Sequence, residues 1–274
     1  MYAITVIFLI AIGVVYLMTR PRARKPVLDP KEFRDFPLIK KTVISHNTAV
    51  YRFALPQSTD VLGLPIGHHI RVRAHIDGKD VVRSYTPISS DDDAQGYFDV
   101  LIKTYPEGRI SKVFSELTLG DTISVSGPKG RFEYRPNAYS ALGFIAGGTG
   151  ISPVVAIVKA VLKNPADKTH LSLIFANVNE EDILLRQELD ELQAAHDNLT
   201  VHYVLNNPPE KWNGSVGFVS EDMIRKHLPA PAADVKVLMC GPPPMMAAMG
   251  KHCEAIGFDK PRTVSKAEDQ VFMF

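Results

Sequence analysis

The chain has 274 residues, 45% hydrophobic and 22% charged, the balance of a globular protein with room for one large domain or two ordinary ones. Its net charge is +1, and Arg20, Arg22, Arg24 and Lys25 all fall in the first 25 residues, which hold no Asp or Glu; removing those four leaves −3 on the rest. That slightly acidic body excludes nucleic acid as the main partner. Two cysteines, Cys240 and Cys253, are too few for a disulfide framework, and no Cys/His cluster suggests a metal.

Met1 to Thr19 runs without a charge and is followed by "RPRARK". As a helix it would reach about 28 Å at ~1.5 Å per residue, close to the ~30 Å hydrocarbon core. The basic residues follow the apolar run instead of preceding it, which favours an uncleaved transmembrane helix over a signal peptide. Basic residues on the cytosolic side put the rest of the chain in the cytosol. Residues 20–31, with Pro21, Pro26 and Pro30, then read as a tether.

Residues 32–137 are strand-like. "HIRVRAHI" (His69–Ile76) alternates, "YFDVLIKTY" (Tyr97–Tyr105) is β-rich, and "DTISVSGPKGRFEY" (Asp121–Tyr134) predicts a strand, a turn and another strand. Turns at short intervals mark an antiparallel barrel or sandwich. The Asp91–Asp93 run reads as a solvated hairpin; nothing after it has the spacing of a cation loop.

From residue 138 to 274 strand and helix alternate. "LGFIAG" leads to "SPVVAIVKAVLKN", "LSLIFAN" to "EEDILLRQELDELQAAH", "LTVHYVL" to a short helix at "SEDMIRKHL", and "VKVLMCG" to "PMMAAMGKHCEAIG". That order predicts a parallel sheet covered by helices. Glu180–Asp182 suit a helix start, and Leu185, Leu189 and Leu192 fall on one helical face as core.

In such a sheet, ligands sit beyond the carboxyl ends of the strands. "GGTGISP" and "CGPPPMM" both fall there. Gly147, Gly148 and Gly150 either shape a tight turn or let the backbone approach a ligand, with free N–H groups at the helix start for a pyrophosphate. Ser152 is placed to cap that helix and Pro153 to open it. On the β-rich half, "RSYTPIS" (Arg83–Ser89) puts Arg83 and Tyr85 on one face and Thr86 on the other. "EGRISKVFSEL" (Glu107–Leu117) reads as a glycine turn and a hydroxyl opening a short amphipathic helix, a second anion-ready start.

These four motifs, in this order, resemble the ferredoxin-reductase-type flavoenzymes, and among them the NADH-cytochrome b5 reductases, including "VFMF" near the end and an N-terminal anchor like that of fungal members. The resemblance covers about residues 32–274. It implies an FAD-binding antiparallel β-barrel followed by an NADH-binding α/β domain, with the reactive rings at their interface. Arg83 would then neutralise the FAD pyrophosphate, Tyr85 pack on the flavin, and Thr86 hydrogen-bond near its reactive nitrogen. Gly108, Arg109, Ile110 and Ser111 would close on the pyrophosphate; His69, Ile102, Lys103 and Tyr105 would flank the cofactor, with Lys103 also reaching NADH. Gly147, Gly148, Thr149 and Gly150 would shape the nicotinamide site, Cys240 would sit beside the ring, and Gly241, Pro242 and Pro243 would wall it. Met245 and Met246 read as helix core. Where the resemblance implies an acidic residue that selects NADH, this chain has Asn206, which can accept from a 2′-hydroxyl but cannot repel a 2′-phosphate.

The activity implied is passage of electrons from NADH through FAD to cytochrome b5 or a similar acidic acceptor, by a monomer anchored in the endoplasmic reticulum or outer mitochondrial membrane, with Arg109 a candidate contact for the acceptor. An iron–sulfur protein or a quinone as acceptor, and a tethered nucleotide-binding module without turnover, are the alternatives.

Overall fold

The computed structural model describes residues 24–274, so the expected membrane span Met1–Thr19 lies outside the described residues. Among those described, no helix is long and apolar enough to cross a membrane.

Strands β1 (Arg34–Ser45), β2 (Thr48–Ala54), β3 (His69–Ile76), β4 (Lys79–Tyr85), β5 (Tyr97–Lys103) and β6 (Thr122–Lys129) form one antiparallel sheet in the order β4-β3-β6-β1-β2-β5. Alternation along β2 and β3 turns Ala49, Tyr51, Phe53, Ile70 and Val72 inward. Phe98 meets Phe36 and Phe53 at ring-centroid distances of 5.4 and 5.5 Å. Each such fully buried ring contributes on the order of 1.5–3 kcal/mol. Hydrogen bonding stops at β4 and β5, and helix α1 (Arg109–Glu116) packs on both. The expected barrel is therefore closed by a helix and not by a strand pair.

Three expectations for this half are corrected. Asp121–Tyr134 supplies one strand, β6, because residues 130–134 leave the sheet. Phe132 there is 2% exposed and meets Phe272 and Phe274 at 5.7 and 5.9 Å, a burial that a hairpin strand would forfeit. The stretch read as a tether is docked from Arg24 onward: Val27 and Leu28 donate to the Val61 and Leu62 carbonyls, and Val27 is buried. The Asp91–Asp93 run is also more than a solvated turn. Asp91 is tucked in to accept from the Gly63 amide, and Asp93 lies 2.7 Å from Lys163 of the second half.

That half is a six-stranded, fully parallel sheet. Its strands are β7 (Ala141–Gly147), β8 (His170–Asn177), β9 (Leu199–Leu205), β10 (Ser215–Val216), β11 (Val235–Cys240) and β12 (Val271–Met273), in the order β10-β9-β8-β7-β11-β12. Helices α2 (Ile151–Lys163), α3 (Arg186–Ala195), α4 (Glu221–His227) and α5 (Pro243–Ile256) supply the crossovers. Ser220 caps α4, accepting from the Met223 amide at 3.2 Å. The short edge strands β10 and β12 carry too little pattern to be read as elements of the sheet in advance.

The long helix expected over residues 180–196 is broken. Glu180–Asp182 form a separate 3-10 turn, closed by a reciprocal capping box between Asn179 and Asp182. Leu185 then sits at φ 56° and α3 starts after it. The break buries Ile183 and Leu184, so Leu189 keeps its place in the core while Leu185 is not on the helix at all. Ser152 does not cap α2: Gly150 is the cap residue, and Ser152 is 4% exposed inside the first turn.

One titration follows from this packing. His202 on β9 stacks on His227 at the end of α4, centroids 3.5 Å apart, with Nε2 2.8 Å from the Ser215 hydroxyl. Burial, and then the proximity of His227 and Lys226, pushes its pKa down from 6.5 to about 4. The unfolded chain therefore takes up this proton first as pH falls, so the stability is complete above 6.5 and is lost as pH drops toward 4. Melting temperatures measured from pH 7.5 downward should fall in the wild type and fall less steeply in His202→Gln. Parallel slopes would remove His202 as the cause.

Candidate active site at the seam between the two halves

On the barrel side the site starts with β4. Strand alternation places Arg83 and Tyr85 on one face. Arg83 is exposed, and its guanidinium donates only to the neighbouring Val82 carbonyl at 2.8 Å; among the described residues it has no carboxylate partner. Tyr85 lies edge-on to Phe114, centroids 5.4 Å apart, and burial pushes its hydroxyl up to about 12, so it stays neutral. Thr86 follows the strand and lines a cavity of about 400 Å³ between the barrel and α2, shared with His68, Pro87 and Ala156. His69 opens β3; burial, then His68, Arg71 and Lys129, hold its pKa below the usual value and keep the ring neutral. The His68 Nδ1 beside it is buried without a partner.

Helix α1 opens at Arg109 and not at Ser111 as the hydroxyl suggested. Gly108 is its cap residue, and no side chain bonds the free N–H groups of the first turn. A Cβ on Gly108 would lie 2.0 Å from the Ser111 hydroxyl, so only glycine lets Ser111 fold back over the helix start. Ile110 and Ile102 are 1% and 2% exposed, which leaves only backbone groups to meet a ligand. Arg109 reaches sideways to the Ile76 carbonyl and the Asp77 carboxylate at 3.3 and 3.4 Å. Tyr105 is exposed, whereas Lys103 is drawn across to Asp182 of the second half, Nζ to Oδ1 2.6 Å.

On the sheet side, the glycines of Gly147–Gly150 divide into two roles. Cβ atoms on Gly147 and Gly150 would lie 2.6 Å from the Met245 sulfur and 2.1 Å from the Cys240 carbonyl oxygen. These two are bare so that the loop after β7 can press on the loop after β11. Gly148 has φ 54° and nothing within 4 Å of a would-be Cβ, so it faces open space. Thr149 is half-buried in the same 3-10 turn, which packs against β5 of the barrel. Cys240 ends β11, and burial pushes its thiol up to about 11, so it packs and does not react as a thiolate. Gly241 and Pro242 continue the loop, with Pro243 opening α5, where proline suits the first helical position. Met245 and Met246 are half-buried and pack against the apolar cluster on the far face of the sheet.

Two residues gave no motif-level signal. Asn177 ends β8 at the carboxyl edge of the sheet, 6% exposed, with both amide atoms unpartnered. A buried amide in that state costs roughly 1–3 kcal/mol unless something supplies its hydrogen bonds. It occupies the same strand-end position that marks Gly147 and Cys240, and that was the available clue. Asp182 carried none beyond its place in an acidic triplet.

The residues present fit both groups that the motifs imply. An unpaired guanidinium, an uncapped helix start and a neutral tyrosine ring suit a flavin dinucleotide. An open glycine and an orphaned amide at the carboxyl edge suit a nicotinamide dinucleotide. The fold and site thus define an oxidoreductase that pairs a flavin with a nicotinamide coenzyme across a barrel–sheet seam.

Known proteins agree. Residues 35–134 match the oxidoreductase FAD-binding domain and residues 144–251 the oxidoreductase NAD-binding domain. The chain is 56% identical to NADH-cytochrome b5 reductase 1 of Mortierella alpina, over 94% of this chain and 86% of that one. It is 56% identical to the protein of the same name from Aspergillus terreus, over 100% of this chain and 93% of that one. Among solved structures it is similar to the cytochrome b5 reductase domain of Ulva prolifera nitrate reductase, with TM-score 0.83 and 35% identity over 91% of this chain and 100% of that one. The chain belongs to the NADH-cytochrome b5 reductase family and is an NADH-dependent, FAD-containing oxidoreductase.

Arg83→Ala tests the flavin side. The FAD dissociation constant should rise by roughly 10- to 150-fold, the ~1.5–3 kcal/mol of a hydrogen bond to a charged group. Unchanged affinity, read by titrating apoprotein with FAD and following flavin fluorescence, would take Arg83 out of the site.

Proposed function

We propose that the chain takes electrons from NADH and passes them through FAD to cytochrome b5, working as a monomer held by Met1–Thr19 to the cytosolic face of the endoplasmic reticulum or outer mitochondrial membrane. The observation that carries the reading is the packing of the Gly148–Gly150 turn on β5, which sets the nucleotide edge of the sheet against the flavin edge of the barrel. FAD, when bound, supplies a centre that accepts two electrons together and returns them singly.

The chain's own residues bind and orient. Arg83 answers the pyrophosphate charge, with the N–H groups of Gly108 to Ser111 around it; Tyr85 packs on the flavin, His69, Ile102, Lys103 and Tyr105 flank it, and Thr86 offers a hydroxyl beside the reacting edge. Gly147 to Gly150 and Cys240 to Pro243 enclose the nicotinamide. No proton has to be abstracted from carbon, so the chemistry needs no charged base beside the rings. The neutral states of His69, Tyr85 and Cys240 meet that requirement. Arg109, exposed at the flavin end, is placed to meet an acidic acceptor.

Purified protein should be yellow, lose its colour with NADH under anaerobic conditions, and regain it on addition of oxidised cytochrome b5. A chain lacking residues 1–22 should do the same in solution but no longer float with lipid vesicles. Colourless folded protein, or colour that cytochrome b5 leaves untouched, would overturn the reading.

Coenzyme selection rests on Asn206, half-buried at the carboxyl end of β9. A carboxylate there would face the 2′-phosphate of NADPH, and like charges at contact distance are worth a few kcal/mol at a protein surface. Asn206→Asp should therefore raise the ratio of kcat/KM for NADH over NADPH by at least about tenfold. An unchanged ratio would place the 2′ position elsewhere.

A further inference from the structure

We infer that Asp182 is a positioning residue for hydride transfer: by gripping Lys103 across the seam it fixes how the end of β5 lies against the loops at the carboxyl edge of the sheet. The inference rests on the function proposed above and concerns a residue to which neither the motifs nor membership of the family gives a role.

Lys103 ends β5, the edge strand of the barrel, and Asp182 closes the 3-10 turn after β8. Their side chains are 13% and 8% exposed, with Nζ and Oδ1 2.6 Å apart. Among the described residues, the other ion pairing across the seam, Lys163 with Asp92 and Asp93, is more than half exposed on both sides. Exposed pairs of that kind are screened and contribute little. Breaking a buried pair leaves an uncompensated charge, which is severe. Of these two ion pairs, the one at Asp182 is the one buried enough to hold the end of β5 against the turn after β8 within the apolar contact of the two halves.

Both ends of the pair are rigidly mounted. The second oxygen of Asp182 accepts from the Asn179 amide and side chain, each at 3.2 Å, and Asn179 in turn accepts from Asn207, beside Asn206. Burial works to raise the Asp182 pKa, but Lys103 and Asn179 hold it below the usual carboxylate value, so the charge persists at neutral pH. On the barrel side, Thr104 bonds the Ser111 carbonyl, and the Tyr105 amide bonds the Ser111 hydroxyl, both at 3.4 Å. The pair therefore links the start of α1, which faces the flavin, to the loops that carry the nicotinamide nucleotide. Transfer between two rings is steep in their separation and alignment, so a small loosening here costs rate before it costs binding.

Two variants of the full, flavin-loaded chain separate the ion pair from the turn. Asp182→Asn keeps an oxygen for Asn179 and removes the charge; Asp182→Glu keeps the charge and is the usual residue of a capping box. With Asp182→Asn, flavin content should hold below the melting transition, and the unpaired buried lysine should lower the melting temperature. Anaerobic stopped-flow reduction by NADH should slow by at least about tenfold, with KM changing less than kcat and a larger isotope effect from deuterated NADH. Amides of residues 101–105 and 178–184 should exchange faster with solvent deuterium in the absence of NADH, a readout independent of turnover. Asp182→Glu should restore most of the rate. An Asp182→Asn enzyme as fast as wild type, one that loses its flavin along with its rate, or a glutamate variant as slow as the asparagine one would each overturn the inference. A wild-type enzyme that NADH does not reduce would instead sink the proposed function.

Discussion

The two halves of this protein share an apolar core, and everything at the site depends on that shared packing. Leu101 of β5 and Phe132, which follows β6, are buried in the same cluster as α2 and one face of the parallel sheet. Phe132 also meets Phe272 and Phe274 at the carboxyl end of the chain, so the last residues of the second half are packed against the first. Two domains joined only by a linker would move relative to one another. Here the apolar contact is continuous, and it presents the carboxyl edge of the sheet to the edge strand of the barrel. A transfer between two bound rings needs that juxtaposition more than it needs any single side chain.

Polar chemistry at the seam is sparse and mostly neutral. His69, Tyr85 and Cys240 are all pushed by burial toward their uncharged forms. The charges that remain have separate roles. Arg83 is exposed and has no carboxylate partner among the described residues, as suits a residue awaiting an anion; Lys103 is already engaged by Asp182. This is the electrostatic pattern of a protein that binds and aligns coenzymes and leaves the reaction to them. The glycines complete it in different ways, since Gly150 is bare to admit the Cys240 carbonyl and Gly148 because its φ of 54° disfavours a side chain.

Much of this was legible in the residues. The switch from strand-rich text to alternating strands and helices near residue 138 marks where the parallel sheet takes over, and β7, β8, β9 and β11 lie where the apolar runs placed them. Arg83, Tyr85 and the two glycine-bearing loops were visible because strand alternation and strand ends are local properties. What misled were signals with two local readings. Ser152 looks like a cap, yet the 3-10 turn before it moves the cap to Gly150 and the helix start to Ile151. Residues 180–196 have the composition of one helix, yet Asp182 is held by Asn179 and Lys103 and the helix restarts only after Leu185.

Local pattern was enough to specify the two kinds of sheet and the strand ends at which the glycine-bearing loops fall. Each follows from periodicity and turn chemistry, which act over a few residues at a time. Long-range packing alone settled that Phe132 leaves its strand, that Gly147 and Gly150 serve packing while Gly148 stands clear of it, and that Lys103 reaches Asp182. Those outcomes depend on groups far apart in the chain competing for the same buried space. No stretch of sequence records which of them the folded core brings together.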